Sequence, residues 1–209
     1  MKIGLIDSGL APELIEAGAR CLGDQADLHG HGVLVSRLIA RKIAPRDILC
    51  APIFDSRGVT TPLAVAAGLD DLMAQGARLL VLPLGLAGDR LVLRQAIARA
   101  LDGGATIVAS APARGGPCFP AAYPGVISVC GDIRCAPDEV SWLGGEPALF
   151  GACPKAPGQK DRSHDGPSMA AGHFAAWLYP QLVLSAGDES LAKRLHARCA
   201  YFGRENKQA

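Results

Sequence analysis

The chain has 209 residues, 49% of them hydrophobic, and a formal net charge of +1. That length fits one domain built on a single large core, here read as spanning 1–209 with a flexible polar tail at 203–209. Acidic and basic residues are interspersed, which speaks against a nucleic-acid or anionic-membrane surface, and no apolar run approaches the ~18 residues that span a bilayer.

Strand and helix patterns alternate from end to end. Lys2–Ile6 is a predicted strand, and His31–Arg41 a helix with Val33, Leu34, Leu38 and Ile39 on one side. Ile48–Phe54 is a strand, followed by turn chemistry in Asp55-Ser56-Arg57-Gly58. Pro62–Gln75 is a helix with proline at its start, where a missing N–H costs nothing. Arg78–Leu84 is a continuously apolar strand, and Leu91–Leu101 a helix that runs out at Asp102-Gly103-Gly104. Ala105–Ala111 and Val126–Cys130 are further strands. Between Asp132 and Asp165 the pattern dissolves into glycine, proline and charge. Ser168–Leu178 is a helix stopped near Pro180, and a last helix runs from about Asp188 to Tyr201. This order predicts an α/β fold: a doubly wound, mostly parallel sheet with helices on both faces. Such sheets bind ligands beyond the carboxyl ends of their strands, so functional residues are expected just after strands or at helix starts.

Met1-Lys2 runs straight into Ile3-Gly4-Leu5-Ile6, too short an apolar stretch for a secretory signal. The seven cysteines, Cys21, Cys50, Cys118, Cys130, Cys135, Cys153 and Cys199, are scattered without a CxxC pair. They read as small apolar fillers in a reducing compartment, so a cytoplasmic location is expected. His29 and His31 would make a metal site only with Asp24 or His164 and a further ligand at fixed spacing, which is not found. Neither a metal nor a cofactor is expected.

Three segments carry chemistry, in the order Asp, His, Ser. In Ile3-Gly4-Leu5-Ile6-Asp7-Ser8-Gly9 an acid ends a buried strand. In Gly30-His31-Gly32-Val33-Leu34-Val35-Ser36 a histidine between two glycines opens a helix. In Asp165-Gly166-Pro167-Ser168-Met169-Ala170-Ala171 a serine sits at a helix start. Taken alone, Asp7-Ser8-Gly9 reads as a turn and Ser168 as a helix cap. Together they match what acyl transfer needs. A serine hydroxyl is a weak nucleophile and requires an adjacent base. Histidine takes the proton and returns it to the leaving amine. The acid holds the imidazole in the right tautomer. Backbone N–H groups at the helix start, that of Ser168 first, can bind an oxyanion.

On these residues the chain resembles the subtilisin-like serine proteases, whose triad runs in the same order. Asp7-Ser8-Gly9 resembles the aspartate motif, Gly30-His31-Gly32 with Val35 the histidine motif, and Gly166-Pro167-Ser168-Met169-Ala170 the serine motif, which usually has Thr before Ser. Ala44-Pro45 and Ile53–Gly58 resemble the strand and turn after the histidine helix. Leu80–Gly85 resembles a strand ending in Ser-Leu-Gly, with Pro83 in place of Ser. Tyr123-Pro124-Gly125-Val126-Ile127-Ser128-Val129 resembles the strand near the substrate pocket.

The resemblance implies a serine endopeptidase with Ser168 as nucleophile, His31 as base and Asp7 as orienting acid. It implies that extended substrate backbone pairs with Gly58, Val59 and Thr60 on one side and Leu84, Gly85 and Leu86 on the other. It also implies a minimal catalytic domain that lacks the family's propeptide and calcium loops. The partner expected is one specific precursor polypeptide, trimmed of a leader and presented by a further maturation protein. There are departures. Where the family carries an oxyanion-binding Asn, this chain reads Ala111-Pro112-Ala113, and Ala113 has no side-chain donor; Arg114 is its neighbour. The proline usual after the nucleophile is Gly172, and the histidine usual in the histidine helix is Leu34.

Overall fold

A computed structural model describes residues 1–23, 27, 29–145, 148–158, 162–184 and 191–204. In chain order the elements are β1 (Lys2–Asp7), α1 (Pro12–Glu16), β2 (Arg20–Cys21), α2 (His31–Ile39), β3 (Ile48–Pro52), α3 (Pro62–Ala74), β4 (Ala77–Leu82), α4 (Leu91–Asp102), β5 (Thr106–Ser110), β6 (Ile127–Gly131), β7 (Val140–Trp142), β8 (Phe150–Ala152), α5 (Pro167–Val183), α6 (Leu191–Ala197) and β9 (Tyr201–Phe202). The strands form one sheet in the order β2-β3-β1-β4-β5-β6-β8-β7-β9. Every pairing is parallel except β7 with β8.

The central strands are continuously apolar because both of their faces are covered. Ile3 and Leu5 of β1 pack with Val35 and Leu38 of α2 and with Phe174 and Leu178 of α5. Ile6, one pleat on, packs with Val65 and Leu69 of α3 in a second core that includes Leu93 and Ile97 of α4. The pleat alone divides neighbouring residues between the two cores. Helices α2 and α5 approach closely, and a Cβ on Gly172 would stand only 3.2 Å from Leu38 Cδ1 and 3.3 Å from Val35 Cγ1. Glycine at this position lets the two helices come together.

The strand order reverses between β1 and β4: after β1 the chain lays down β2 at the edge and then β3 beside β1, and it crosses to the other side of β1 for β4, β5 and β6. Crevices at such reversals are where α/β sheets place their ligands. Asp7 ends β1 and Pro83 follows β4, so these two residues flank the crevice.

Three expectations are corrected. The stretch from Asp132 to Asp165 contains two strands, β7 and β8. Each has three residues, too few to show a period, and Gly151 of β8 is not a loop signal. A Cβ there would collide with Ser141 Oγ and lie 2.8 Å from Asp132 Cβ, so glycine marks a close approach. Pro180 does not stop α5; it lies inside the helix, which continues to Val183. The buried side chains of Leu178 and Tyr179 hold this turn in place, and tertiary packing outweighs the one lost backbone bond. The last helix ends at Ala197, and Tyr201–Phe202 is a strand paired with β7; Asp188, where that helix was expected to begin, lies outside the described residues. Gly203, at the start of the expected tail, donates its N–H to the Trp142 carbonyl (2.8 Å).

Candidate active site

Asp7 is fully buried at the carboxyl end of β1. A buried carboxylate must have its lone pairs met. The Ser8 N–H donates to Oδ1 at 2.7 Å and the Ser8 hydroxyl at 3.2 Å. His31 Nδ1 lies 2.8 Å from Oδ1 and 2.9 Å from Oδ2. Because a carboxylate can only accept, Nδ1 carries the proton and Nε2 of the neutral ring keeps a free lone pair.

The glycines beside His31 have separate reasons. Gly30 caps α2 in the left-handed conformation (φ 73°) that turns the chain into the helix. Gly32 presses on the backbone of Gly9, where a Cβ would overlap the Gly9 carbonyl oxygen and sit 2.7 Å from its nitrogen. The Gly32 N–H donates to Ser8 Oγ at 2.9 Å. The end of β1 and the start of α2 are thereby locked face to face, which brings the His31 ring onto Asp7.

Asp27, which sequence reasoning passed over, completes this junction. Its Oδ1 accepts the N–H groups of His29 (2.9 Å) and Gly30 (2.8 Å), and its Oδ2 that of Val33 (2.9 Å). The Val33 N–H is an orphan donor of the first turn of α2, and those of Gly30 and His29 belong to the N-cap and the residue before it. The available signal was an N-cap residue type four positions before His31. Burial pushes the Asp27 carboxyl upward, but the N–H groups of His29, Val33 and Gly30 outweigh it and hold its pKa below the usual carboxylate value. For His31, burial favours the neutral ring; the Asp7 hydrogen bond and the charges of Asp7 and Asp27 overcome it and raise the pKa above 6.5.

Ser168 is the second residue of α5, after Pro167 and the extended Gly166. Its hydroxyl donates to the Pro83 carbonyl at 2.7 Å. Among the described residues no hydrogen bond joins it to His31. The first backbone bond of α5 runs from Ala170 N–H to the Gly166 carbonyl (3.1 Å), and no side chain caps the helix. The Ser168 and Met169 N–H groups are therefore not used by the helix itself. Ala113 and Arg114 are exposed beyond β5.

Of the expected substrate-binding segments, Gly58, Val59 and Thr60 follow a turn tied by Gly58 N–H to the Asp55 carbonyl and Val59 N–H to Asp55 Oδ1, both 2.9 Å. Thr60 Oγ1 is buried without a hydrogen-bond partner among the described residues. Leu84 and Gly85 follow β4, and the Ser110 hydroxyl donates to the Leu84 carbonyl at 3.3 Å. Leu86 departs from an open edge: it is bridged to Phe119 by two backbone bonds of 2.7 and 2.9 Å. Next to it, Cys118 Sγ fills the space a side chain on Gly85 would need. Of the residues weighed for a metal site, His29 has Nε2 2.8 Å from the Asp55 carbonyl and His164 has Nδ1 2.9 Å from Ser163 Oγ; Asp24 lies outside the described residues.

No protein-family model and no curated protein matches the chain. Among solved structures it is similar to the psychrophilic subtilisin-like protease Apa1 of the Antarctic psychrotroph Pseudoalteromonas sp. AS-11, with a TM-score of 0.54 and 21% identity over 62% of this chain. The chain spans 36% of the length of that relative. The mostly parallel sheet, the strand order and this likeness together give the chain a subtilisin-like fold.

Proposed function

We propose that the chain is a serine endopeptidase in which Asp7, His31 and Ser168 act as a triad. The observation that carries the reading is the His31 ring held by both oxygens of a buried Asp7 carboxylate, at 2.8 and 2.9 Å, with Nε2 left to accept a proton. Ser168 Oγ turns from the Pro83 carbonyl towards His31 Nε2 and attacks the peptide carbonyl carbon as its proton passes to Nε2. The oxyanion is met by the Ser168 N–H at the start of α5. The C–N bond then breaks, the amine takes the proton from Nε2, and an acyl-enzyme remains on Oγ. Water, deprotonated by the same nitrogen, releases it.

The substrate we propose is one precursor polypeptide that loses a leader peptide, bound in extended form along Gly58–Thr60 and Leu84–Leu86 and presented by a third protein. The size and motif layout resemble the small subtilisin-like protease that processes the γ subunit of quinohemoprotein amine dehydrogenase. The proposed setting is a reducing cytoplasm, which agrees with seven cysteines that are all free thiols. A second reading, a peptide-binding module without turnover, is favoured by the missing side-chain donor at Ala113 and by the Ser168 hydroxyl bonded to Pro83 instead of His31.

Labelling by a fluorophosphonate decides between them. The natural chain should form a covalent adduct on Ser168, and Ser168→Ala should form none while melting at a similar temperature. An unlabelled natural chain, or equal labelling of both, overturns the peptidase reading.

A further inference from the structure

The geometry points to His29 as a positioning residue that fixes the Gly58–Thr60 segment in register with His31; this rests on the peptidase reading above. His29 sits two residues before His31, and its N–H is held by Asp27 Oδ1 at 2.9 Å. That carboxylate also holds Gly30 and Val33 at the start of α2, so its two oxygens fix the backbone on both sides of His31. The His29 ring reaches in the other direction, with Nε2 2.8 Å from the Asp55 carbonyl. A carbonyl can only accept, so Nε2 carries a hydrogen there. The same carbonyl accepts the Gly58 N–H at 2.9 Å, which uses both of its lone pairs.

The turn is otherwise closed on itself. Asp55 Oδ1 accepts from the N–H groups of Arg57 and Val59, both at 2.9 Å, and the Asp55 N–H donates to the Val59 carbonyl at 2.9 Å. These bonds shape the turn without tying it to α2. The ring of His29 makes that tie. It also stands beside Gly58, where a Cβ would lie 3.4 Å from Cε1 and 3.5 Å from Nδ1. Gly58 has φ +74°, so the turn cannot easily trade this residue for a bulkier one. Substrate backbone lying along Gly58–Thr60 is then placed relative to His31 by this side chain as well as by the segment's attachment to β3, through a chain of bonds running Asp55, His29, Asp27, Gly30.

The test uses the full chain, with His29→Ala and His29→Gln, whose amide can still donate to Asp55. Amide hydrogen exchange at Gly58 and Val59 reads the tie directly, and needs no substrate. His29→Ala should speed that exchange about tenfold, and His29→Gln should restore most of the protection. On an extended peptide substrate His29→Ala should raise KM about tenfold with kcat within about threefold. The loss in kcat/KM should exceed the loss in fluorophosphonate labelling, since that reagent has no peptide arm. Exchange that does not change in His29→Ala overturns the inference. So does faster exchange with KM unmoved, a fall in kcat at constant KM, or a Gln variant as impaired as Ala. If the natural chain is not labelled at Ser168, the peptidase reading fails and the role in substrate placement falls with it, whereas the exchange result still reports on the tie.

Discussion

His31 Nδ1 faces both oxygens of Asp7, at 2.8 and 2.9 Å, while the carboxylate is wholly shielded from solvent. The contact fixes the tautomer and the ring plane at once. It also sets how the ring titrates. Burial works against the charged imidazolium, yet the hydrogen bond and charge of Asp7 and the charge of Asp27 prevail, so the pKa is raised above 6.5. Protonated His31 thus stabilises the fold in full below pH 6.5, and this contribution is lost as pH rises through the folded pKa.

A base must be neutral to accept a proton, so the acid limb of Ser168 labelling by fluorophosphonate should lie above pH 6.5. Asp27→Asn removes one of the charges that raise it, and the limb should move towards lower pH. Labelling rates measured across pH in both proteins check this. A limb that stays put or moves upward would show that Asp27 does not act on His31 electrostatically.

The elements that hold Asp7, His31 and Ser168 were legible because their signals are local. A buried strand ending in Asp7, a glycine-flanked His31 opening a helix, and a Gly-Pro entry before Ser168 each occupy a handful of residues. What stayed hidden joins segments far apart in the chain. Nothing near Ser168 announces that its hydroxyl reaches Pro83, or near Leu86 that Phe119 pairs with it. Asp27 and His29 sit in a stretch without periodicity, where only contact with Val33 and Asp55 gives them meaning. Pro180 reads as a stop in one dimension; the packing of Leu178 and Tyr179 overrides it in three.

Gly32 and Gly172 should respond unequally to alanine. At Gly32 the new Cβ meets backbone atoms of Gly9, which cannot rotate away. Gly32→Ala should cost ~1–3 kcal/mol, a fall in Tm of about 2–4 °C for each kcal/mol in a chain of this size, and should slow labelling by shifting His31. At Gly172 the new Cβ meets side chains of Leu38 and Val35 at 3.2–3.3 Å. Leu38 Cδ1 and Val35 Cγ1 can adjust, Leu38 Cβ needs a shift of only a few tenths of an ångström, and Ala gains ~1 kcal/mol over Gly inside a helix, so Gly172→Ala should leave Tm within a few degrees. Thermal melts of both variants give the comparison. A larger loss for Gly172→Ala would reverse the order expected from these contacts.

The exposed Ala113 supplies no side-chain donor beyond β5. Losing one oxyanion donor costs ~2.7–4 kcal/mol, or roughly a hundred- to a thousandfold in rate. Ala113→Asn should therefore raise kcat by at least tenfold if the site has no substitute donor. A neutral or harmful effect would mean that a substitute is present, and Arg114, exposed next door, is the first to remove. A normal rate in Arg114→Ala would then clear it of that role.

Narrow specificity is what the proposed function expects of such a site. On the proposed peptidase reading, a site without a substitute for that donor would draw its rate from binding energy gained away from the scissile bond. Several features near the site fit such binding. Val59, Leu63 and Leu91 are 52%, 67% and 64% exposed; Val59 lies in the expected substrate segment, and Leu63 and Leu91 stand in the first turns of α3 and α4, which follow the carboxyl ends of β3 and β4. Leu86 is already paired with Phe119, which shortens the free edge on the other side. The purified chain should therefore digest casein and short peptides slowly and one precursor rapidly, the latter more so with its presenting protein. Leu63→Asp and Leu91→Asp should raise KM for that precursor and leave the slow cleavage of short peptides within about twofold. Assays of the chain on a panel of unfolded proteins and on candidate precursors, with and without these substitutions, measure both. Rapid digestion of the whole panel would instead mark a general endopeptidase, and tight binding of one polypeptide without any cleavage would mark the binding module.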